Sequence, residues 1–137
     1  KLSYLSPEVA MGRQATPASD LFAMGAVMWE SLTGERLFDG RSDLDVFKLI
    51  RQCIIRPLAS YRDDLPAELI AIIERALAKE PSDRFGSASS FAFMLGEVLR
   101  YAPPGADPQL TLAQRVADTF VSGVQYLAAN SSSFSPQ

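Results

Sequence analysis

The stretch "SYLSPEVAMGRQATPASDLFAMGAVMW", residues 3–29, ends in nine consecutive residues without a polar side chain, Leu21–Trp29. A helix with no polar face is expected at the centre of a domain, covered on every side. Two acids precede it: Glu8 in a proline-containing loop and Asp20 at the start of the helix. Because the residues after Asp20 are expected to be buried, we expect its carboxylate to be partly buried and to accept backbone N–H bonds. The helix dipole alone is a simpler explanation of Asp20, and solvation of a loop acid is a simpler explanation of Glu8.

Composition restricts the class of protein. The chain has 137 residues, a net charge of −3, one cysteine and no histidine. Its length fits about one domain, and its scattered basic residues argue against binding to nucleic acid. A lone Cys53 without histidine excludes a Cys/His zinc site, an internal disulfide and a Ser-His-Asp mechanism in this chain. The apolar run Leu21–Trp29 is far shorter than the roughly 20 residues of a membrane span, so we expect no span within this chain.

Apolar spacing predicts a mainly α-helical fold without strands. The predicted helices are Ser19–Thr33, Ser42–Cys53, Pro66–Lys79 and one beginning near Ser87, after a short turn at Pro7–Met11. Ser19 is the expected N-cap of the first long helix, and Gly34 is placed to end it.

The later helices have signals of their own. Ser42, followed by Asp45, predicts a capping-box-like start of the second helix, whose apolar stripe is expected to run through Ile50 to Ile54. Met94 is expected on the apolar face of the last helix.

The local composition divides the chain into four predicted parts. Residues 1–100 form the predicted domain, and residues 101–111, rich in proline and glycine, form a linker. Residues 112–128 carry apolar side chains at helical spacing and are the candidate for an extra helix. Residues 129–137 are polar, and we expect a disordered tail.

Arg84 is the second candidate for a buried charge. It lies in "EPSDRFGS", residues 80–87, between the third and fourth predicted helices. Phe85 beside it is expected to point inward, which favours a partly buried arginine, although most loop arginines are solvated. A buried arginine needs an acidic partner, and Glu8 is a candidate. The residues by themselves give no complete active site, because no glycine-rich phosphate loop is present.

Three segments taken together resemble the C-terminal part of the kinase domain of bacterial eukaryotic-like (Hanks-type) Ser/Thr protein kinases. They are "YLSPE" (Tyr4–Glu8), "ASDLFAMGAVMWESLTGERLF" (Ala18–Phe38) and "LAKEPSDRFGSASSF" (Leu77–Phe91). The resemblance covers about residues 1–99. It implies the helical large lobe of the kinase fold from the end of the activation segment onward, without the ATP-binding small lobe.

The resemblance also implies roles for individual residues. Glu8 and Arg84 correspond to a buried pair that holds the substrate-binding segment, and Asp20 corresponds to an acid that accepts backbone N–H bonds from the catalytic loop. The helix Ser42–Cys53 corresponds to one that often docks protein substrates or regulators. The pocket for the substrate residue after the phosphorylated one would be lined by Leu2, Ser3, Tyr4, Leu5 and Ser6.

The implied activity is transfer of the ATP γ-phosphate to protein hydroxyls. The family's glycine-rich loop, nucleotide-pairing Lys, catalytic Asp and Asn and metal-binding Asp all precede the matched region. We therefore expect a fragment that is inactive alone and holds no cofactor, with ATP and Mg²⁺ bound by the full-length kinase. Lys1 stands where the family has a Thr. This departure leaves a pseudokinase or a non-catalytic protein-binding module as the alternative.

Overall fold

Five α-helices follow one another in the computed structural model, which describes residues 2–101. Their bounds are α1 Pro7–Ala10, α2 Pro17–Thr33, α3 Asp43–Gln52, α4 Ala67–Ala76 and α5 Ala88–Arg100. Short 3₁₀ turns lie at Leu2–Tyr4, Leu58–Ser60 and Pro81–Asp83. Residues 2–101 contain no strand, which confirms the mainly α fold class. Lys1, the predicted linker, the candidate helix 112–128 and the tail lie outside the described residues.

The start of α2 differs from the prediction, and its end agrees. The helix begins at Pro17 with Thr16 as N-cap, because proline is well suited to the first helical position. Ser19 is therefore not the cap but a first-turn residue, whose Oγ accepts the Thr16 N–H at 3.0 Å. Gly34 ends the helix in the left-handed conformation with φ 73°, and its N–H donates to the Glu30 carbonyl at 2.8 Å.

Helix α2 lies at the centre of the core, but it is not covered on every side. Phe22, Ala26 and Trp29 are at most 1% exposed. On another face, Met24 and Val27 are 52% and 45% exposed. The prediction of complete coverage is therefore wrong for the described part of the chain.

The buried indole of Trp29 joins α2 to the segment after α3. Its Nε1–H donates to the Arg56 carbonyl at 3.1 Å. Its ring meets Tyr61 edge to face, with 5.4 Å between ring centroids. Both contacts hold the irregular segment between α3 and α4 against the core, since a buried indole N–H needs an acceptor.

Helix α3 has the predicted cap but ends sooner than its apolar pattern suggests. The Asp45 N–H donates to the Ser42 Oγ at 3.2 Å, as a capping serine should accept. Cys53 then takes a left-handed conformation with φ 54° and ends the helix. Ile54, predicted to continue the apolar stripe from the fully buried Ile50, is consequently 71% exposed.

Helices α4 and α5 complete the core beside α2. Ile73 of α4 is fully buried, and Phe91 of α5 packs against Phe85 with 5.1 Å between ring centroids. Met94 was predicted on the buried face of α5 but is 42% exposed. Within residues 2–101, no helix combines the length and the apolar character that crossing a membrane would require.

Gly25 lies at a close approach of α2 to α4. A Cβ at this position would lie 3.0 Å from the Ala76 Cβ and 3.1 Å from the Leu77 Cγ. Because the Ala76 Cβ is fixed to its helix backbone, Gly25→Ala should force the two helices apart. We expect a loss of about 1–3 kcal/mol in unfolding free energy. It is measured by urea unfolding of the parent polypeptide, meaning the longest natural polypeptide that contains these residues.

Gly96→Ala is the matched control. Gly96 lies within α5, and a Cβ there would meet no atom within 4 Å. The substitution should stabilise the protein by roughly 0.5–1 kcal/mol, because alanine has the higher helix propensity. Equal stability of the Gly25→Ala variant and the parent polypeptide would show that the contact between α2 and α4 is looser than described.

Candidate functional site

Glu8 and Arg84 form a buried, bidentate ion pair, although they lie 76 positions apart in the sequence. The Arg84 Nη1 donates to the Glu8 Oε1 at 2.8 Å, and the Nη2 donates to the Oε2 at 2.7 Å. The two side chains are 0% and 3% exposed. The pairing that the sequence suggested is therefore present, and it joins α1 to the segment between α4 and α5.

Arg84 has no unsatisfied donor. Beyond Glu8, its guanidinium donates to the carbonyls of Ala78 at 2.8 Å, Ala18 at 2.8 Å and Lys79 at 3.0 Å. These bonds use all five N–H groups of the guanidinium. The Phe22 ring lies beneath it, with 4.9 Å from the Cζ to the ring centroid. A lysine could not replace this set of contacts, because it lacks the planar fork.

Glu8 is held in its ionised form. Burial acts to raise its pKa, but hydrogen bonds from Arg84, from its own backbone N–H and from Ser19 outweigh burial and lower the pKa to about 2. The Ser19 Oγ donates to the Glu8 Oε1 at 2.8 Å. Since the same Oγ accepts the Thr16 N–H, the carboxylate is tied directly to the first turn of α2.

The residues predicted to line a substrate pocket lie immediately before this pair. Leu2–Tyr4 form a 3₁₀ turn, closed by the Leu5 N–H donating to the Leu2 carbonyl at 3.1 Å. Leu2, Ser3, Tyr4 and Leu5 are half-buried, and Ser6 is buried. Tyr4 and Leu5 pack against the core, so this segment is supported along its length.

Glu30 of α2 holds this segment and was not found by sequence reasoning. The Tyr4 hydroxyl donates to the Glu30 Oε2 at 2.8 Å, and this bond raises the pKa of Tyr4. The Glu30 Oε1 accepts the Leu37 N–H at 3.0 Å. Both carboxylate oxygens are thus used, one for each segment that borders the end of α2. The 26-residue separation of Tyr4 and Glu30 left no local signal in the sequence.

Asp20 differs from its prediction. Its side chain is exposed, and within residues 2–101 it makes no hydrogen bond or ion pair. Asp20 lies four and seven residues before Met24 and Val27, so the three share the uncovered face of α2. The expected burial is wrong here because the apolar run is buried through its opposite face.

The helix predicted as Ser42–Cys53 lies beside the same segment. As α3, it packs against both the Leu2–Tyr4 turn and α1. The structure therefore brings together the ion pair, the segment Leu2–Ser6 and α3, and leaves Asp20 on the uncovered face of α2.

Arg84→Ala should destabilise the protein strongly. It leaves the Glu8 carboxylate buried without its partner and three partly buried carbonyls without their donor, and the expected loss is about 3–5 kcal/mol of unfolding free energy. Urea unfolding of the parent polypeptide measures this loss.

Arg13→Ala is the control, because Arg13 and Glu80 are 4.0 Å apart with side chains 62% and 53% exposed. Its loss should stay under roughly 1 kcal/mol, and similar losses in both variants would contradict the special role of the buried pair.

The low pKa of Glu8 makes stability depend on pH. The carboxyl has a pKa near 4.5 when unfolded and about 2 when folded, so its contribution is complete above the unfolded value. It is lost as the pH falls from about 5 towards 2. Urea unfolding over this pH range should show that the difference in unfolding free energy between the parent polypeptide and the Glu8→Gln variant becomes smaller as the pH falls.

Glu80→Gln serves as the pH control, because Glu80 is exposed on the surface. The difference in unfolding free energy between Glu80→Gln and the parent polypeptide should stay small and nearly constant with pH. If the difference for Glu8→Gln were also constant with pH, the Glu8 carboxylate would not be held ionised by its partners.

Comparison with known proteins assigns the family. The family model described as "Protein kinase domain" matches residues 1–94. The chain is 39% identical over 92 residues to the tyrosine-protein kinase MasK of Myxococcus xanthus, covering 67% of this chain and 14% of MasK. It is 38% identical over 115 residues to the serine/threonine-protein kinase PknB of Mycobacterium tuberculosis, covering 83% and 18% of the two chains. It thus spans less than a fifth of these relatives' length.

Solved structures support the fold. The autoinhibited serine kinase domain of the giant muscle protein titin matches with a TM-score of 0.61 at 20% identity, covering 68% of this chain and 29% of that one. The twitchin kinase region from C. elegans matches with a TM-score of 0.57 at 22% identity, covering 61% and 15%. The chain belongs to the protein kinase family, with Hanks-type bacterial relatives, and its described part has the helical fold of a kinase large lobe.

Proposed function

We propose that this chain is the substrate-binding and scaffold part of a Ser/Thr protein kinase, which transfers the ATP γ-phosphate to protein hydroxyls. The observation that carries the proposal is the buried Glu8–Arg84 pair. The resemblance identifies it with the pair that holds the family's substrate-binding segment. The proposal of serine/threonine specificity is supported by two relatives from Mycobacterium tuberculosis, PknB and the 35% identical PknK, which are both named serine/threonine-protein kinases. MasK is named a tyrosine kinase, so the acceptor hydroxyl is part of what the experiment below must decide.

The segment Leu2–Ser6 is fixed at two places. Just after it, Glu8 is held by Arg84, and within it Tyr4 is held by Glu30. A peptide that binds there meets a surface whose shape is already set, so little ordering is needed on binding. In this proposal Glu8 and Arg84 position the segment and do not touch the reacting atoms.

Asp20 has a positioning role in the proposal. Its exposed carboxylate, with the exposed Met24 and Val27 on the same face, is suited to receive a segment that brings backbone N–H donors and apolar cover. The resemblance identifies that segment as the catalytic loop. In this proposal that loop supplies the chemistry of phosphate transfer.

ATP and Mg²⁺ are expected of the parent polypeptide. The resemblance assigns their binding to residues that precede the matched region, and within residues 2–101 no three acidic or cysteine side chains are grouped to hold a metal. We therefore assign no step of phosphate transfer to these residues. Their proposed contribution is to bind the protein substrate and to support the fold, and the proposed location is cytoplasmic.

The test compares the parent polypeptide with residues 1–137 alone. Both are incubated with Mg²⁺, labelled ATP and peptide libraries that offer serine, threonine or tyrosine as acceptor. We expect the parent polypeptide to label serine or threonine peptides, and residues 1–137 to label none. Labelling of tyrosine alone would correct the acceptor. A folded parent polypeptide that labels nothing would favour the pseudokinase or protein-binding module.

Residues 1–137 alone should bind an apolar dye more strongly than the parent polypeptide does. The uncovered face of α2 displays Met24 and Val27, which the parent polypeptide is expected to cover. Dye fluorescence and thermal melting measure this. A sharp, cooperative melt of residues 1–137 without dye binding would show that the face needs no cover.

A further inference from the structure

The outward face of α3 carries a stripe that the fold does not use. Leu44, Lys48 and Arg51 follow one another at spacings of four and three residues, so they lie on one face of the helix. All three are exposed, Leu44 by 63%. The opposite face packs inward through Leu49 and the fully buried Ile50. The side chains of the stripe therefore take no part in packing the core.

The two cations of the stripe have no partner among residues 2–101. Neither Lys48 nor Arg51 makes an ion pair or hydrogen bond within that range. The acids Asp43 and Asp45 lie about a quarter turn to either side of the stripe. The Asp45 carboxylate accepts the Ser42 hydroxyl at 2.9 Å as part of the helix cap. The stripe thus presents positive charge on a chain whose net charge is −3.

Apolar surface accompanies this charge. Leu44 lies at the start of the stripe, and Ile54, 71% exposed, follows directly after the helix end at Cys53. Scattered apolar side chains on a surface are ordinary, but two large ones that flank unpaired cations along the chain favour a binding surface. A matching partner would have carboxylates and at least one large aliphatic side chain.

The stripe lies on the helix that touches the proposed substrate segment. Helix α3 packs against the Leu2–Tyr4 turn, so its position relative to that turn is fixed. A protein whose acceptor residue binds beside Leu2–Ser6 would be held close to α3. A second contact on the same bound protein would then act as a local, high-concentration interaction.

We propose that Leu44, Lys48, Arg51 and Ile54 form a docking surface for an acidic segment with aliphatic side chains in the protein substrates of this kinase. Carboxylates of that segment pair with Lys48 and Arg51, and its aliphatic side chains cover Leu44 and Ile54. Such charge complementarity favours one class of substrate and disfavours basic ones. The inference rests on the proposed function and adds the chemistry of the substrate that α3 selects.

The experiment uses the parent polypeptide and three synthetic peptides with one acceptor sequence. The first is unextended, the second continues through a Gly/Ser linker into a segment of glutamate and leucine, and the third has lysine in place of the glutamate. We expect the acidic extension to lower KM about five- to tenfold. The lysine extension should give no gain, and the advantage should shrink as salt is added.

Two variants locate the effect. Lys48→Glu should remove the KM advantage of the acidic extension. Arg100→Glu makes the same change in net charge on α5, a helix that packs against α4, and should keep the advantage. Loss of the advantage in both variants would mean that net charge, not the stripe, decides, and would overturn the inference.

The outcomes separate this inference from the proposed function. Phosphorylation of all three peptides with equal KM would overturn the docking surface and leave the kinase function intact. If neither these peptides nor the serine, threonine and tyrosine libraries are phosphorylated, the proposed function is wrong. Fluorescence anisotropy of the labelled acidic segment then decides docking, because binding weakened by Lys48→Glu supports the stripe and unaffected binding overturns it. Equal KM values, together with Lys48-dependent binding to phosphatidylcholine–phosphatidylserine vesicles, would assign the stripe to a membrane surface instead.

Discussion

The ion pair between Glu8 and Arg84 is the constraint on which the rest of the described structure depends. A buried guanidinium is tolerated only when all its donors find acceptors, so three backbone carbonyls must converge on Arg84. Two of these carbonyls follow α4, and the third lies at the start of α2. Satisfying one side chain therefore fixes the relative positions of three parts of the chain. The segment before Glu8 takes its position from the same contact.

Helix α2 has two faces with different roles. One face is the centre of the core, where Gly25 allows α4 to approach closely and Trp29 fixes the segment after α3. The other face is exposed around Asp20. A helix buried on one side only can link a stable core to a segment that docks later, because the uncovered face is already positioned by the covered one. This division explains how an almost entirely apolar run can still carry an exposed carboxylate.

Local features of the sequence were predicted well, and most contacts between distant residues were not. Helix caps such as Ser42 and Gly34 act on neighbouring backbone groups, so their chemistry is visible within a few residues. The bond from Tyr4 to Glu30 depends on how two segments meet, and no local pattern reports it. The exposed Ile54 shows the same limit: apolar spacing continued, but a left-handed Cys53 had ended the helix. The Glu8–Arg84 pair was anticipated only as a candidate from the residues, and the family resemblance made it specific.

The sequence by itself determined the helical class, the caps at Ser42 and Gly34, the central position of α2 and, through its motifs, the kinase family. These properties depend on short-range periodicity and on ordered motifs, which a chain carries before it folds. Only the tertiary structure decided which face of α2 stays uncovered, that Glu30 holds Tyr4, and that α3 packs beside the Leu2–Tyr4 turn with Leu44, Lys48 and Arg51 exposed. Those outcomes depend on which surfaces pack against each other. Burial and partner choice are set by contacts between residues far apart in the sequence, since each buried charge must find its donors or acceptors wherever the fold brings them.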